Sequence, residues 1–194
     1  MKNPNYKIQT GIYELSGNQQ AAVVMLGNSL TYNANWNELL NRKNIANRGM
    51  VSDITEGYLH RLVYVYNLKP KFCFIEGGVN DIYENIPVEQ IFKNYIDIID
   101  TLKSHKIIPV IQSTLFVSPK WHNAAEKNKE IEKLNGLLKK YAEKNSVEYL
   151  NINLLLSANG FLRDELTYDG VHLNAKGYAL WALEVEKVLI KHGL

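Results

Sequence analysis

Three short stretches of the 194-residue chain carry side chains that could do chemistry together. Gly27-Asn28-Ser29-Leu30-Thr31 follows an apolar run and offers a hydroxyl at a strand-to-helix turn, where free helix N–H groups favour developing negative charge. Gly77-Gly78-Val79-Asn80-Asp81 follows another apolar run; its glycines permit a tight turn, and Asn80 can present amide donors to the same edge. In Tyr168-Asp169-Gly170-Val171-His172-Leu173-Asn174 a carboxylate stands three residues before an imidazole, across a glycine. A turn there lets Asp169 fix the tautomer of His172 and leaves the other ring nitrogen to accept a hydroxyl proton. Each stretch also has a plainer reading: Ser29 or Thr31 as a helix cap, an ordinary glycine-asparagine turn, and a satisfied pair capping a helix near Asn174. Together they hold what acyl transfer requires, which is a nucleophile, an oriented base and donors for an oxyanion.

These residues need a frame that gathers them. Apolar runs at 21–26, 44–47, 71–77, 107–113 and 146–152 read as strands, the richest of them apolar on both faces, as covered parallel strands are. Pro109 belongs at a strand start or edge, because it lacks the ladder donor. Helical segments fall at about 35–42, 55–67, 88–104, 123–145 and 174–192, the third opening on Pro87 and Glu89. Five such units predict a three-layer α/β/α sandwich with a five-stranded parallel sheet, whose ligands bind beyond the carboxyl ends of the strands. All three chemical stretches follow a strand or lie on the last loop. A chain of this length is one domain at roughly 150 residues per domain, read as an N-terminal extension over 1–20 and a single domain over 21–194.

Composition excludes several functions. The apolar share of 46% and charged share of 22% describe a globular chain. A net charge of +2, with basic residues spread along the chain, is too even for a grip on nucleic acid or acidic membranes. No run approaches the roughly 20 apolar residues of a membrane span. The N-terminus lacks the apolar core of a signal peptide, so the expectation is a soluble protein, cytoplasmic as written and periplasmic or secreted if a leader was removed. Cys73 reads as a buried strand residue. No zinc-type Cys/His spacing, GxGxxG or Walker loop is present, and neither metal nor cofactor is expected. His60, His105, His122 and His192 lack a carboxylate at useful spacing and read as surface or interface residues. Glu76 reads as a structural partner of a neighbouring loop. Tyr32, Trp36, Tyr83, Phe116 and Trp121 could line an acyl or sugar pocket, or equally pack in the core or a dimer contact.

VVMLGNSLT, IANRGMVSDIT, IEGGVNDI and YDGVHLNAKGYALWA occur in the order and spacing of blocks I, II, III and V of the SGNH hydrolases, the GDSL esterase/lipase superfamily. The sequence resembles that family from about Val23 to Leu183, in particular the bacterial acylhydrolases of the platelet-activating-factor acetylhydrolase-like type. The resemblance implies Ser29 as nucleophile, His172 as general base and then acid, and Asp169 as the residue orienting it. It makes Asn80 an oxyanion donor through its side-chain amide, with the Ser29 backbone N–H as a second. The third donor in the family is a block II glycine N–H; alignment puts Ser52 at that position, with Gly49 as the fallback. Gly27-Asn28-Ser29 stands where the family has Gly-Asp-Ser, which keeps the shape and removes a charge.

The activity implied is a serine esterase that removes a short acyl group, acetyl first, from a small-molecule ester: an acetylated sugar or a small lipid. A carbohydrate O-acetylesterase leads. A lysophospholipase or platelet-activating-factor acetylhydrolase-like esterase is the alternative, and a carbohydrate-binding module with catalysis damaged at Ser52 is the non-enzymatic rival. A flavodoxin-like signalling domain shares the sheet but leaves Asp169 and His172 unexplained. A homo-oligomer stays open.

Overall fold

A computed structural model describes residues 3–15 and 19–194 of the chain. In chain order the elements are α1 (Tyr6–Leu15), β1 (Val23–Gly27), α2 (Ser29–Tyr32), α3 (Trp36–Leu39), β2 (Ile45–Gly49), α4 (Thr55–His60), α5 (Val63–Tyr66), β3 (Phe72–Ile75), α6 (Val79–Tyr83), α7 (Val88–Ser104), β4 (Ile108–Gln112), α8 (Ala124–Lys144), β5 (Glu148–Leu150), α9 (Asn153–Leu156), β6 (Ser157–Ala158), β7 (Phe161–Leu162) and α10 (Ala175–Lys191). β1 to β5 form the expected five-stranded parallel sheet, in the order β2-β1-β3-β4-β5. All residues of β1 and β3 are buried, which is why their sequences carry no polar alternation.

Helices cover both faces. On one, α4, α7 and α8 pack side by side; on the other, α3 and α9 flank α10. The long helices bury a single stripe: Ile91, Tyr95, Ile98 and Leu102 on α7, and Tyr178, Trp181, Val185 and Leu189 on α10. Strand order reverses at β1, between β2 and β3, and such a switch point opens a crevice at the carboxyl end of the sheet. Ser29 follows β1 and Asn80 follows β3, so the two stand on opposite sides of that crevice.

Several element boundaries differ from the sequence expectation. The helix expected over 55–67 is two pieces, α4 and α5, because the chain turns at Arg61, whose φ of −120° leaves the helical region. The helix expected over 35–42 is the short α3, and the helix start implied at Ser29 is a separate single turn, α2. β2 runs on to Arg48 and Gly49, which pair with Leu26 and Gly27. The β6/β7 hairpin was not foreseen. Pro109 sits one residue before pairing with β5 begins at Val110, where its missing N–H leaves no ladder bond unmade.

The expected N-terminal extension, 1–20, is described except for residues 1, 2 and 16–18, which lie outside the described residues. Tyr13 of α1 is buried, donates to the Gly49 carbonyl at 2.8 Å, and lies under the Arg48 guanidinium at 4.4 Å. The Asn3 amide donates to Val51 at 2.9 Å. The helix therefore braces the segment that follows β2.

Candidate active site

The turn after β1 is tight for a steric reason. A Cβ on Gly27 would run into the Thr31 hydroxyl and come within 2.8 Å of the Glu76 carbonyl, so only glycine lets α2 start there. Asn28 caps α2, its side-chain oxygen accepting from the Leu30 N–H at 2.8 Å. The cap leaves Ser29 at the first helical position, half-buried, with its N–H in the unsatisfied amino-terminal turn. Tyr178 of α10 holds the same turn from below by donating to the Leu30 carbonyl at 2.8 Å.

The loop between Thr167 and Asn174 is closed by short-range bonds. The Thr167 hydroxyl donates to the His172 carbonyl at 2.6 Å and accepts from the Gly170 N–H at 2.9 Å. Gly170 has φ +103°, a conformation that favours glycine, and its carbonyl accepts from the Ser118 N–H at 2.8 Å. Asp169 Oδ1 takes the N–H groups of Val171 and His172 at 2.9 and 2.8 Å, while Oδ2 meets His172 Nδ1 at 2.6 Å. Burial alone would raise the Asp169 carboxyl; the His172 ring and those two backbone donors outweigh it and hold it below its ordinary value. His172 Nε2 then stands 3.0 Å from Ser29 Oγ, although 143 residues separate them. With Asp169 ionised on Nδ1, Nε2 is the acceptor for the serine proton.

Opposite them, Gly78 at φ +105° starts α6 and puts Asn80 on its first turn. The Asn80 amide donates to the Asp53 carbonyl at 2.8 Å, which spends one of its two N–H bonds on orientation. Ser52 has φ +58°, the left-handed region, and its backbone N–H has no hydrogen-bond partner among the described residues. The fallback, Gly49, is corrected by the structure: its N–H is already engaged by the Asn47 side chain at 2.8 Å, and a Cβ there would collide with the Tyr32 backbone. Its glycine serves close packing, and its N–H is not available to a ligand.

The segment carrying Ser52 is held from a distance. Asp53 pairs with Arg61 at 2.7 Å, both buried, and the same guanidinium donates to the carbonyls of Arg48 at 2.6 Å and Gly27 at 2.9 Å. Asp81, directly after Asn80, accepts the Thr55 hydroxyl at 2.5 Å and the Thr55 N–H at 3.0 Å. Burial raises the Asp81 carboxyl to about 6 against those bonds. Neither the Arg61 clamp nor the Asp81 anchor is assigned a role by the sequence reading. Asp81 was visible beside Asn80; nothing local marks Arg61.

Among the aromatic candidates, Trp36 lies in the core, edge-on to Trp181 at 5.0 Å between centroids, and lines no pocket. Tyr32 is exposed, Trp121 packs against Gly170, and Tyr83 donates to the His122 carbonyl at 2.9 Å. Exposed Tyr168 stacks on the His172 ring with 15° between planes. Of the remaining histidines, His60 is exposed and His105 stacks on Tyr66 at 4.0 Å. His192, with no carboxylate near it in sequence, has Nε2 3.5 Å from Glu148 Oε2, 44 residues away. Among the described residues no three His, Cys, Asp or Glu side chains gather as a metal site, and no helix is long and apolar enough to cross a membrane.

Residues 25–180 match the GDSL-like lipase/acylhydrolase family. The fold is shared with a GDSL-like lipase from Bacteroides thetaiotaomicron, with a TM-score of 0.82 at 23% identity over 97% of this chain and 98% of that one. An acetyl xylan esterase superposes with a TM-score of 0.74 at 19% identity, covering 86% and 98% of the two chains. The N-acylneuraminate cytidylyltransferase of Streptococcus agalactiae serotype III is 30% identical over 158 residues, 80% of this chain and 35% of that enzyme. The chain thus spans about a third of the length of that curated relative.

Proposed function

The chain belongs to the GDSL-like lipase/acylhydrolase family and is an ester hydrolase, and from that premise we propose that it removes acetyl groups from carbohydrate oxygens through an acyl-enzyme on Ser29. The observation that carries the proposal is the continuous line from Asp169 through His172 to Ser29, with contacts of 2.6 and 3.0 Å. His172 takes the Ser29 proton as Oγ attacks the ester carbonyl. The oxyanion that forms is met by the N–H groups of Ser29 and Ser52 and by the free Asn80 amide proton. The C–O bond to the sugar then breaks, and His172 gives its proton to the departing alkoxide. Water, deprotonated by His172, attacks the acyl carbon; the bond from that carbon to Ser29 Oγ breaks, His172 gives the proton back to Oγ, and acetate leaves.

Support for a sugar comes from the site's rim. Tyr32 follows the nucleophile within α2, and Tyr168 lies nearly parallel to the His172 ring with centroids 5.8 Å apart; both side chains are exposed and offer aromatic surface on which a sugar can stack. The likeness to an acetyl xylan esterase favours the same class. So does a matching segment within an enzyme named for an acylated amino sugar acid.

The test is release of acetate, followed by proton NMR, from O-acetylated neuraminic acid and acetylated xylo-oligosaccharide, beside p-nitrophenyl octanoate and a lysophospholipid. Acetate release at least tenfold faster than octanoate hydrolysis, and lost in Ser29→Ala, is expected. Preference for octanoate or the lysophospholipid would replace the sugar by a lipid. Turnover surviving in Ser29→Ala would remove the acyl-enzyme.

A further inference from the structure

Across the described residues, the buried side-chain polar atoms without a hydrogen-bond partner are both carboxyl oxygens of Glu76, Asn28 Nδ2, Thr31 Oγ1 and Gln112 Nε2. All four residues are fully buried. Strand register places Glu76 beside Gln112, and the turn after β1 brings Thr31 and Asn28 to the same end of the sheet. Glu76 follows Ile75, which pairs with Leu26 of β1 and Ile111 of β4, so Glu76 stands between Gly27 and Gln112 in one row across the sheet. Its N–H continues the ladder to Leu26 at 3.0 Å. Side chains in one row of a parallel sheet leave on the same face. That face is the one under α10: Trp181 donates to Gln112 Oε1 at 2.6 Å, and Thr31 fills the space a Gly27 side chain would take. Trp36 and Trp181 close the row from solvent.

The orphan atoms complement one another. Two amide donors and a hydroxyl match two carboxyl oxygens in chemistry, and buried groups of this kind are satisfied by one another or through internal water. We propose that Glu76 is a positioning residue for Ser29: with Asn28, Thr31 and Gln112 it forms a sealed polar network behind the nucleophile turn that fixes where the serine oxygen stands. The proposal rests on the reading of Ser29 as nucleophile. Asn28 and Thr31 flank Ser29 on either side, so a shift in the row moves the turn directly.

The network works with Glu76 uncharged. Burial drives its carboxyl up to about 8; the Leu115 backbone offsets part of this and Asp81 adds to it. The titratable groups facing it are Tyr58 from α4, Tyr95 from α7, Tyr178 from α10 and Asp81 from α6. None is a cation, and the buried Arg61, which reaches the neighbouring Gly27 carbonyl at 2.9 Å, is committed to Asp53, so an ionised Glu76 has no paired counter-charge. In the unfolded chain Glu76 ionises near its ordinary 4.5, whereas the folded protein keeps the proton up to about 8. Folding takes up a proton in that window, so its stability contribution falls as pH rises through it and is level above.

The experiment compares wild type, Glu76→Gln and Glu76→Leu by steady-state hydrolysis of p-nitrophenyl acetate and by urea unfolding, both across pH. Glu76→Leu, which leaves the Asn28, Thr31 and Gln112 donors without their acceptor, is expected to lower stability near neutral pH and to lose about tenfold in kcat, with KM within about twofold. Glu76→Gln is expected to restore kcat near neutral pH and to lack the wild-type loss above about 8. It should also gain stability over wild type as pH rises from 4.5 to about 8. Wild-type kcat in Glu76→Leu, or an alkaline loss shared by Glu76→Gln, overturns the positioning role. Coincident unfolding profiles overturn the neutral network without reference to catalysis. A wild type that hydrolyses no ester while the unfolding gap is present removes the Ser29 reading itself and reduces the row to architecture.

Discussion

Two loops meet at the crevice, and they are built by opposite means. The Thr167–Asn174 loop orients Asp169 and the His172 backbone with bonds between residues at most five apart, and its longer-range bonds are Ser118 to Gly170, Asn174 to Glu165 and Leu166, and His172 to Ser29. The Met50–Asp53 segment holds Ser52 with partners drawn from elsewhere: Arg61 on Asp53, the Asn80 amide on its carbonyl, and Asn3 on Val51. The first loop carries its geometry in its own sequence. The second borrows its geometry from the fold, so damage to distant residues should reach the oxyanion side before it reaches the histidine.

Perturbations can break this contrast, and they fall in a clear order. His172→Ala removes the proposed base and should cost on the order of 10⁴-fold in kcat with little change in thermal midpoint. Arg61→Met leaves the Asp53 carboxylate buried without its partner, a loss of roughly 3–5 kcal/mol of stability by urea unfolding. Activity in the surviving folded fraction should fall as well, because the clamp on Gly27 and Arg48 goes with it. Wild-type stability in that variant would show that the segment does not depend on long-range support. Asn80→Ala should reduce kcat by about 10²–10³-fold at nearly unchanged KM. Thr167→Val removes two short-range bonds, worth roughly 1 kcal/mol each, and should lower the thermal midpoint by several degrees while KM holds. The smallest effect belongs to Ser52→Ala, which keeps the backbone N–H. Its kcat should stay within about twofold, and a large loss would assign the hydroxyl a role of its own.

The same contrast explains what could be read in the sequence. The turns that carry Ser29, Asn80, Asp169 and His172 were legible because each sits in a short stretch where a glycine or a cap dictates the local turn. The sheet was legible because central parallel strands are apolar on both faces. Ser52 was placed only by alignment; its φ of +58° shows a backbone state that glycine suits better, at a cost to serine of about 1–2 kcal/mol. Arg61 was read simply as part of a helix, since nothing local reveals that it will close on a carboxylate and two carbonyls. Short helices such as α2 and α6 have too few residues to show a period. Trp36 takes the core alternative its position left open, and Gly49 came from an alignment, which does not show whether a backbone N–H is already engaged.

The most direct measurement treats the protein with a fluorophosphonate and locates the adduct by mass spectrometry. A single adduct on Ser29, formed by wild type and lost in His172→Ala, is the expected result, because only a hydroxyl whose proton has an acceptor at 3.0 Å attacks phosphorus at a useful rate. An adduct on another residue, or an unlabelled protein that still hydrolyses p-nitrophenyl acetate, would contradict the assignment of Ser29 as the nucleophile.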